Sequence, residues 1–242
     1  MKRVAILVIF STALIAGCSP GSGGPTTGKK EPVVANTAKS ASDLMPLTEG
    51  NAWTYHIESQ IVSPDGRTER ANTIRILKVG KVIKDSAGTK ADLMFLDEKQ
   101  SVLATIKVLA TSKGLFQTGV QVPNKGTQSF STPLPWVPFP YKLDETVKWS
   151  GSGPFPGIEG QGIITAGVTG RGPAEADTMT GRFKCERVES VQMFTVNNIK
   201  FRTEQITWFA PGVGLVRNKE TLANDKGARQ SSIMMLKSYT VK

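Results

Sequence analysis

The chain has 242 residues, with 30 lysines and arginines against 20 aspartates and glutamates, which gives a formal net charge of +10 at pH 7. It contains one histidine and two cysteines, so a zinc site built from several histidines and a fold stapled by many disulfides are both excluded. The basic residues are dispersed and form no dense block, which predicts a solvated surface and no nucleic-acid partner.

Residues 1–17 have the organisation of an export signal. Two basic residues follow the initiator methionine, and an apolar run then extends to Ala16. As a helix this run would be roughly 20 Å long, shorter than the ~30 Å hydrocarbon core of a bilayer, so it does not predict a membrane span. Ala16 and Gly17 are small residues directly before Cys18, as signal cleavage requires.

Ile15-Ala16-Gly17-Cys18 resembles the lipobox of bacterial lipoproteins. The resemblance implies cleavage after Gly17, a diacylglyceryl thioether on Cys18 and acylation of its new amine, with palmitate as a typical chain. Two or three chains would anchor the protein in a lipid bilayer, because each buried methylene contributes about 0.8 kcal/mol. Ser19 in place of aspartate resembles the outer-membrane class, facing the periplasm, if the organism has two membranes. The alternative is an ordinary signal peptide with an incidental cysteine.

Residues 18–42 are rich in Gly, Pro, Ser, Thr and Lys and have no apolar period. Such a composition buries too little surface to offset its ordering entropy, so we predict a lipidated flexible tether. Residues 43–242 then form one domain, which is long enough for a sizeable core.

Stretches of alternating polarity follow one another through this domain, separated by Gly, Asp, Asn and Ser. In residues 53–61, Trp53, Tyr55, Ile57 and Ile61 share one face of a strand with one serine. No long stretch has a 3.6-residue apolar period. The pattern predicts a mainly β fold, with a single antiparallel curved sheet or partly open barrel of about ten or eleven strands and little helix outside the signal peptide.

Two segments predict aromatic anchors. Four prolines within residues 131–141 favour an edge strand or an extended crossover, pinned to the domain by Trp136 and Phe139. The sequence Ala-Pro-Gly after Phe209 predicts a tight hairpin, with Trp208 and Phe209 on opposite faces of the strand before it. These four aromatic residues are our candidates for ligand or partner contacts, and such a role for the hairpin requires Phe209 to be exposed.

Three stretches resemble a second family. MPLTEGNAWTY (45–55), GRFKCERVES (181–190) and WFAPGVGLVRNKE (208–220) are similar to the uncharacterised DUF3108 and TapB-like envelope proteins. The resemblance implies an extracytoplasmic β domain, related in shape to lipoprotein carriers of acyl chains, and it transfers no catalytic residue. Leu-x-Glu-x-x-x-Trp also recurs at 47–53 and 143–149, either by chance or as the start of two related sheet halves.

We expect no enzymatic activity and no cofactor or metal. His56 lies on a predicted strand, no Gly-x-Ser-x-Gly elbow precedes a helix, and Cys185 has the pattern of a half-buried strand residue with no reactive role. A carboxylate-dependent hydrolase stays open as a remote alternative, because a sequence does not give the distance between carboxylates. The paired acidic residues, next to each other or one residue apart, are Asp97/Glu98, Asp144/Glu145 and Glu175/Asp177.

Two hypotheses for the domain remain. The first is a non-enzymatic module that binds an apolar or amphiphilic ligand in a concave sheet. Its expected apolar lining is Met94, Phe95, Met193, Phe194, Met234 and Met235. The second is an envelope assembly or scaffolding protein, which contacts another envelope protein through its edge strands, residues 131–141 or the hairpin after Phe209.

Overall fold

The computed structural model describes residues 38–155 and 160–242. The predicted signal peptide, the cleavage point at Gly17, the lipidated Cys18 and most of the predicted tether lie outside the described residues. Across the described part, no helix combines the length and the apolar character needed to cross a bilayer.

Strands dominate the described chain, with one short helix before them. The elements are α1 (Ala41–Leu44), β1 (Ala52–Val62), β2 (Thr68–Asp85), β3 (Gly88–Leu96), β4 (Val102–Thr111), β5 (Gly114–Gln121), β6 (Thr127–Pro138), β7 (Thr146–Pro154), β8 (Gln161–Asp177), β9 (Arg182–Val196), β10 (Ile199–Ala210), β11 (Gly214–Asn224) and β12 (Arg229–Thr240).

All strands belong to one sheet, in the order β6-β5-β4-β3-β2-β1-β12-β11-β10-β9-β8-β7. The chain therefore forms two six-stranded meanders, β1–β6 and β7–β12, joined by the antiparallel pairing of β1 with β12. The two Leu-x-Glu-x-x-x-Trp stretches lead into β1 and β7, the first strand of each meander. The predicted class, a single antiparallel sheet that is curved or forms a partly open barrel, is confirmed: the sheet is nearly closed into a barrel, and its described strands number twelve where about ten or eleven were predicted.

The proline-rich segment accounts for the strand beyond the ten or eleven that the sequence predicts. It forms β6, which pairs with β5 and lies at an edge of the sheet. Proline lacks the N–H that a central strand must donate on both sides, so an edge is the position that tolerates it. Trp136 is buried and Phe139 packs against the core, so the prediction of a pinned edge strand is confirmed.

The other edge strand, β7, faces β6 without a backbone ladder, and we call this junction the seam. Side chains close it: the rings of Phe130 and Trp149 meet edge to face with centroids 6.4 Å apart, and the Ser152 N–H donates to Ser131 Oγ at 2.9 Å. A Cβ at Gly153 would lie 2.2 Å from the Phe130 ring, so the glycine makes room for that ring against β7.

One end of the barrel holds the larger apolar cluster, which we call the apolar core. Its fully buried aromatic side chains include Trp53, Tyr55 and Phe209. Trp53 Nε1 donates to the Val213 carbonyl at 2.6 Å, and Tyr55 OH donates to the Leu215 carbonyl at 2.8 Å. The polar atoms of both aromatic side chains therefore have partners, and these bonds tie β1 to the start of β11.

The hairpin between β10 and β11 closes this end. Gly212 has φ +77°, the left-handed conformation that the predicted turn requires, and its N–H donates to the Asp43 carbonyl at 2.7 Å. Ser40 caps α1 in a capping box with Asp43, and Ala41 is buried although it lies inside the range predicted for the tether. The helix therefore packs over the hairpin at the apolar end.

Candidate functional site

A row of polar side chains crosses the inner face of the sheet. Because side chains alternate along a strand, the inner position that follows Ile57 on β1 is Ser59, and it faces Ser232 of β12. Ser232 faces Glu220 of β11, and Glu220 faces Gln205 of β10. Gln205 in turn faces Ser190 of β9. Five adjacent strands thus place polar side chains at one level, and the polar belt consists of Ser59, Ser232, Glu220, Gln205 and Ser190.

Glu220 is the acidic member of the polar belt and is only 4% exposed. Gln205 Nε2 donates to Glu220 Oε2 at 3.0 Å, and Gln205 Oε1 lies 3.3 Å from Ser190 Oγ. The other carboxyl oxygen, Glu220 Oε1, is buried and has no hydrogen-bond partner among the described residues. Burial raises the pKa of Glu220 to about 7, and the bond from Gln205 opposes that shift. The acid therefore holds its proton far above the pH at which exposed carboxyls lose theirs.

Asn218 stands beside this acid, two residues earlier on the inner face of β11. It is 3% exposed, and its Oδ1 accepts a hydrogen bond from Thr207 Oγ1 at 3.0 Å. Its Nδ2 is buried with no hydrogen-bond partner in the described chain. Buried polar atoms in proteins nearly always have a partner, so an unpaired donor next to an unpaired acceptor marks a place for a further group.

Aromatic rings continue the inner face beyond the polar belt. Along β9 the inner positions run from Ser190 to Phe194, and along β10 they run from Gln205 to Phe201. The Phe155 ring stacks on Phe201 with centroids 4.6 Å apart and meets Phe194 edge to face at 4.8 Å. With the two rings at the seam these form the aromatic cluster, which consists of Phe130, Trp149, Phe155, Phe194 and Phe201.

Trp149 carries a third unpaired polar atom. Its Nε1 is buried without a hydrogen-bond partner in the part of the chain that the structure describes. A buried indole N–H usually finds an acceptor, as that of Trp53 does. The aromatic cluster and the polar belt together make the inner face amphiphilic between the seam and β11.

Sequence reasoning missed the polar belt. On β11 the inner Asn218 and Glu220 alternate with Arg217 and Lys219 on the outer face, so both faces are polar and the strand shows no apolar period. The available signal was the repeated polar pair at positions i and i+2 within a β-rich region, as in Thr203/Gln205 and Asn218/Glu220. Such a polar pair indicates a site only if it is buried, and its burial depends on the closure of the sheet.

The four aromatic residues predicted as contacts do not come together on an exposed surface. Trp136 and Phe209 are buried in the apolar core, where their rings meet edge to face with centroids 5.9 Å apart. Phe139 is half-buried against the same core. Trp208 is half-buried on the outer face under the Arg217 guanidinium, 5.4 Å from its ring centroid. Because Phe209 is fully buried, the condition stated for a contact role of the hairpin is not met.

The predicted apolar lining divides between the two faces, because each pair consists of consecutive residues on a strand. Phe95, Phe194 and Met234 point inward and are buried in the two apolar clusters. Their neighbours point outward, and Met193 is 40% exposed. Only half of the expected side chains therefore belong to the interior.

The residues considered for catalysis occupy ordinary structural positions. His56 lies 3.6 Å from Glu58 Oε1 on the outer face, and Cys185 is buried, which raises the pKa of its thiol to about 12. Arg171 and Arg182 pair with the exposed carboxylates of Asp144 and Asp177. Within residues 38–155 and 160–242, no three His, Cys, Asp or Glu side chains come together as metal ligands.

The outer face carries an apolar groove of about 490 Å³ over β7, β8 and β9. Gly167 leaves space in its floor, and Val191 and Met193 form its apolar wall. Ile163, on the same outer face, is 69% exposed. A second groove, of about 670 Å³, crosses β2, β1, β12 and β11 and carries charged residues such as Arg70 and Lys219.

No protein-family model and no curated protein matches the chain. Among solved structures, a candidate lipoprotein from Parabacteroides distasonis has TM-score 0.51 and 14% identity, covering 81% of this chain and 98% of its own. A candidate exported protein with YmcC-like fold from Bacteroides fragilis has TM-score 0.49, 14% identity and coverages of 80% and 96%. The hypothetical lipoprotein YmcC from Escherichia coli has TM-score 0.39, 7% identity and coverages of 81% and 89%. At 14% identity, the similarity to the Parabacteroides distasonis structure shows a shared fold and no more.

Proposed function

We propose that this protein is a lipid-anchored lipoprotein of the bacterial envelope with a non-enzymatic binding domain. The lipobox-like residues that end in Cys18 support the anchor, and the fold shared with a candidate lipoprotein is consistent with it. The similarity of three stretches to DUF3108 and TapB-like proteins favours the same compartment. In a cell with two membranes, Ser19 favours the outer membrane as the final location.

Labelling cells with tritiated or alkyne palmitate tests the anchor. The wild-type protein should incorporate label and partition into detergent, whereas Cys18→Ala should do neither. A palmitate-free wild-type protein, or a Cys18→Ala variant that partitions like the wild type, would refute the anchor.

The domain binds an amphiphilic ligand between the aromatic cluster and the polar belt. One observation carries this proposal: Asn218 Nδ2 and Glu220 Oε1, both buried and unpaired, lie on an inner face that continues into the aromatic cluster. An apolar chain would pack on the aromatic rings, and its polar end would reach the two unpaired atoms. Preformed binding sites combine mostly apolar walls with a few placed polar groups in this way.

The seam is the entrance for that ligand. Every other neighbouring pair of strands is joined by a ladder of backbone hydrogen bonds, whereas the seam relies on side chains such as Phe130 and Trp149. Separating β6 from β7 therefore breaks fewer backbone hydrogen bonds than opening the sheet elsewhere. The same movement would expose the indole N–H of Trp149.

A disulfide across the seam tests both the ligand site and the seam as its entrance. Ser131 and Ser152 are adjacent on the two edges, so Ser131→Cys/Ser152→Cys places two thiols for cross-linking. The buried Cys185, whose pKa is raised to about 12, does not compete for oxidation. The full-length protein in nanodiscs is titrated with an uncharged octyl nitroxide, which quenches tryptophan fluorescence on contact, and Trp149→Phe isolates the signal of the cluster.

The reduced double variant should show saturable quenching of Trp149, and the oxidised form should lose at least tenfold in the rate of quenching. Ser131→Cys alone is the matched control, and it should behave as the wild type under both conditions. Absence of saturable quenching in the wild type would contradict ligand binding. Equal rates in the two forms would contradict the seam as the entrance.

Hydrolysis is disfavoured by the composition of the polar belt. A carboxylate-dependent glycoside hydrolase needs two carboxyl groups on either side of the scissile bond. Glu220 is the only carboxyl in the belt, and its neighbours there are Gln205 and Ser232. The belt therefore offers hydrogen bonds to a ligand and no acid–base pair.

A second candidate function is scaffolding by the outer face, which the exposed Ile163, Val191 and Met193 beside the apolar groove favour. A photo-reactive amino acid at Met193 should then capture an envelope protein in cells. The same group at Lys184, an exposed residue earlier on β9, serves as the control. A Met193 probe that captures nothing beyond the control would remove this candidate.

A probe within residues 131–141 tests the role of the proline-rich edge in the same cells.

A further inference from the structure

We propose that the polar belt selects an amphiphile whose polar end is an uncharged group bearing hydroxyls. This inference rests on the proposed ligand site and adds the chemical class of its ligand. It follows from which atoms beside Glu220 already have hydrogen-bond partners and which do not.

The two unpaired atoms are of opposite type. Asn218 already uses its carbonyl oxygen with Thr207, so what it still offers is the N–H donor at Nδ2. Glu220 already uses Oε2 with Gln205, so it still offers Oε1. The two residues are i and i+2 on one face of β11, and their backbones lie about 7 Å apart. Glu220 Oε1 accepts when the carboxyl is ionised and donates when it holds its proton, so a group that reaches both atoms must accept from Asn218 and must be able either to donate to or to accept from Glu220.

A hydroxyl group meets these requirements in both states of Glu220, because its oxygen accepts a bond from Asn218 and it can donate to the ionised carboxylate or accept from the protonated acid. A carboxylate or phosphate can accept from Asn218, but it brings a negative charge against Glu220. An ammonium group can donate to Glu220, but it leaves Asn218 Nδ2 unpaired. Leaving a buried donor or acceptor unpaired costs about 1–3 kcal/mol, which disfavours each charged class.

The surrounding inner face gives an anionic ligand little compensation. The side chains that flank Glu220 in the belt, Gln205 and Ser232, are neutral. Arg75 also points inward, but it faces Tyr55 of the apolar core, and its Nη1 donates to the Ile74 carbonyl. An anionic polar end at the belt would therefore be buried without a counter-charge, which is more costly than burying a hydroxyl that has two partners.

Three octyl compounds with different polar ends test the inference in the quenching assay with full-length protein. They are 1-monooctanoylglycerol, octanoate and octylammonium, each competing with the octyl nitroxide for the Trp149 signal. The glyceride should compete at least about fivefold more tightly than either ion, which corresponds to one retained hydrogen bond of about 1 kcal/mol. Empty nanodiscs correct for partition into the bilayer.

Variants on β11 test whether Asn218 and Glu220 produce the preference for the glyceride over the two ions. Asn218→Leu and Glu220→Leu should each weaken competition by the glyceride about fivefold or more and bring it close to that of the ions. Glu220→Gln keeps a carbonyl oxygen and should retain competition by the glyceride, whereas octanoate, which no longer meets a carboxylate, should compete more tightly than it does in the wild type. Lys219→Leu lies between the two residues, is exposed on the outer face and is the matched control. Thermal unfolding confirms that each variant is folded.

The outcomes separate the two proposals. If the nitroxide shows no saturable quenching, the ligand site itself is wrong. If it binds but the three compounds compete equally, or an ion competes best, the site stands and its selectivity for hydroxyl groups is overturned. The selectivity is overturned as well if Asn218→Leu and Glu220→Leu both leave competition unchanged, since a bridging water would then occupy the two atoms.

Discussion

The two ends of the barrel interior use the same strands but different side chains. On β1 the inner face runs from Trp53 and Tyr55 at the apolar end to Ser59 at the polar belt, and β12 runs from Leu236 to Ser232. At the apolar end the buried polar atoms of the aromatic side chains are hydrogen-bonded. In the region of the polar belt, Asn218 Nδ2 and Glu220 Oε1 are buried and unpaired, which lowers stability and motivates the binding role that we propose for this region. In our proposal, one sheet therefore separates the part that stabilises the fold from the part that binds a ligand.

The largest effect should come from the apolar core. Phe209→Ala removes a fully buried ring that packs on Trp136, so the free energy of unfolding should fall by about 3–5 kcal/mol. Denaturant unfolding followed by circular dichroism measures it. Ile163→Ala, at a residue that is 69% exposed, is the control and should change stability by less than about 0.5 kcal/mol. A loss below about 1 kcal/mol for Phe209→Ala would contradict the conclusion that the apolar core stabilises the fold.

The next effect is a pH dependence that originates in the polar belt. The pKa of Glu220 is about 7 in the folded protein and near 4.5 when the chain is unfolded, so the folded state holds the proton more tightly. Its contribution is fully present below about pH 4.5 and is lost as the pH rises through about 7. Its size is on the order of 3 kcal/mol. Glu220→Gln should abolish this part of the pH profile, whereas Glu204→Gln, at an exposed position, should leave it unchanged.

Unfolding measured between pH 5 and pH 8 checks the assignment to Glu220. The wild type should lose stability across this interval relative to Glu220→Gln. Two identical profiles would mean that Glu220 ionises like an exposed carboxyl, and the polar belt would then not be a buried site.

Two tryptophans allow the apolar core and the aromatic cluster to be compared at the same type of side chain. Trp53 Nε1 is hydrogen-bonded to the Val213 carbonyl, whereas Trp149 Nε1 is buried and unpaired. Trp53→Phe should therefore lower the free energy of unfolding by about 1–2 kcal/mol more than Trp149→Phe does. Denaturant titrations of the two variants, which remove the same atoms, give this difference directly. Equal losses would show that the two N–H groups are equally well satisfied.

The smallest effect should be seen at Asn218. Asn218→Leu loses the bond from Thr207 but also removes an unpaired buried Nδ2, so stability should change by less than about 1 kcal/mol. A thermal melt at one pH is sufficient for this test. A loss of 2 kcal/mol or more would indicate that Asn218 holds the fold together, as Tyr55 does, and is not kept for binding.

The sequence was most informative where one face of a strand is apolar or where a residue restricts the backbone. The alternation through Trp53, Tyr55 and Ile57 predicted a strand that is buried on one side, and the prolines of residues 131–141 predicted the edge strand. Pro211 and Gly212 predicted the hairpin. Each of these signals is local, because it depends on neighbouring residues and on the geometry of the peptide bond.

The candidate site was not predictable in the same way. The five residues of the polar belt come from five strands, and their meeting depends on the long-range register between β1, β12, β11, β10 and β9. Glutamate and glutamine on a strand are most often solvated, so their sequence context favours the outer face. Helix α1 was also missed, since its four residues are too short to show a period.

Mass spectrometry of the amphiphiles that remain bound to the natively purified full-length protein tests the central claim most directly. Wild-type protein should carry a stoichiometric amphiphile with an uncharged, hydroxyl-bearing polar end, and Asn218→Leu should carry several-fold less of it. Wild-type protein free of any amphiphile, together with a crystal structure in which a water bridges Asn218 Nδ2 and Glu220 Oε1, would contradict the claim.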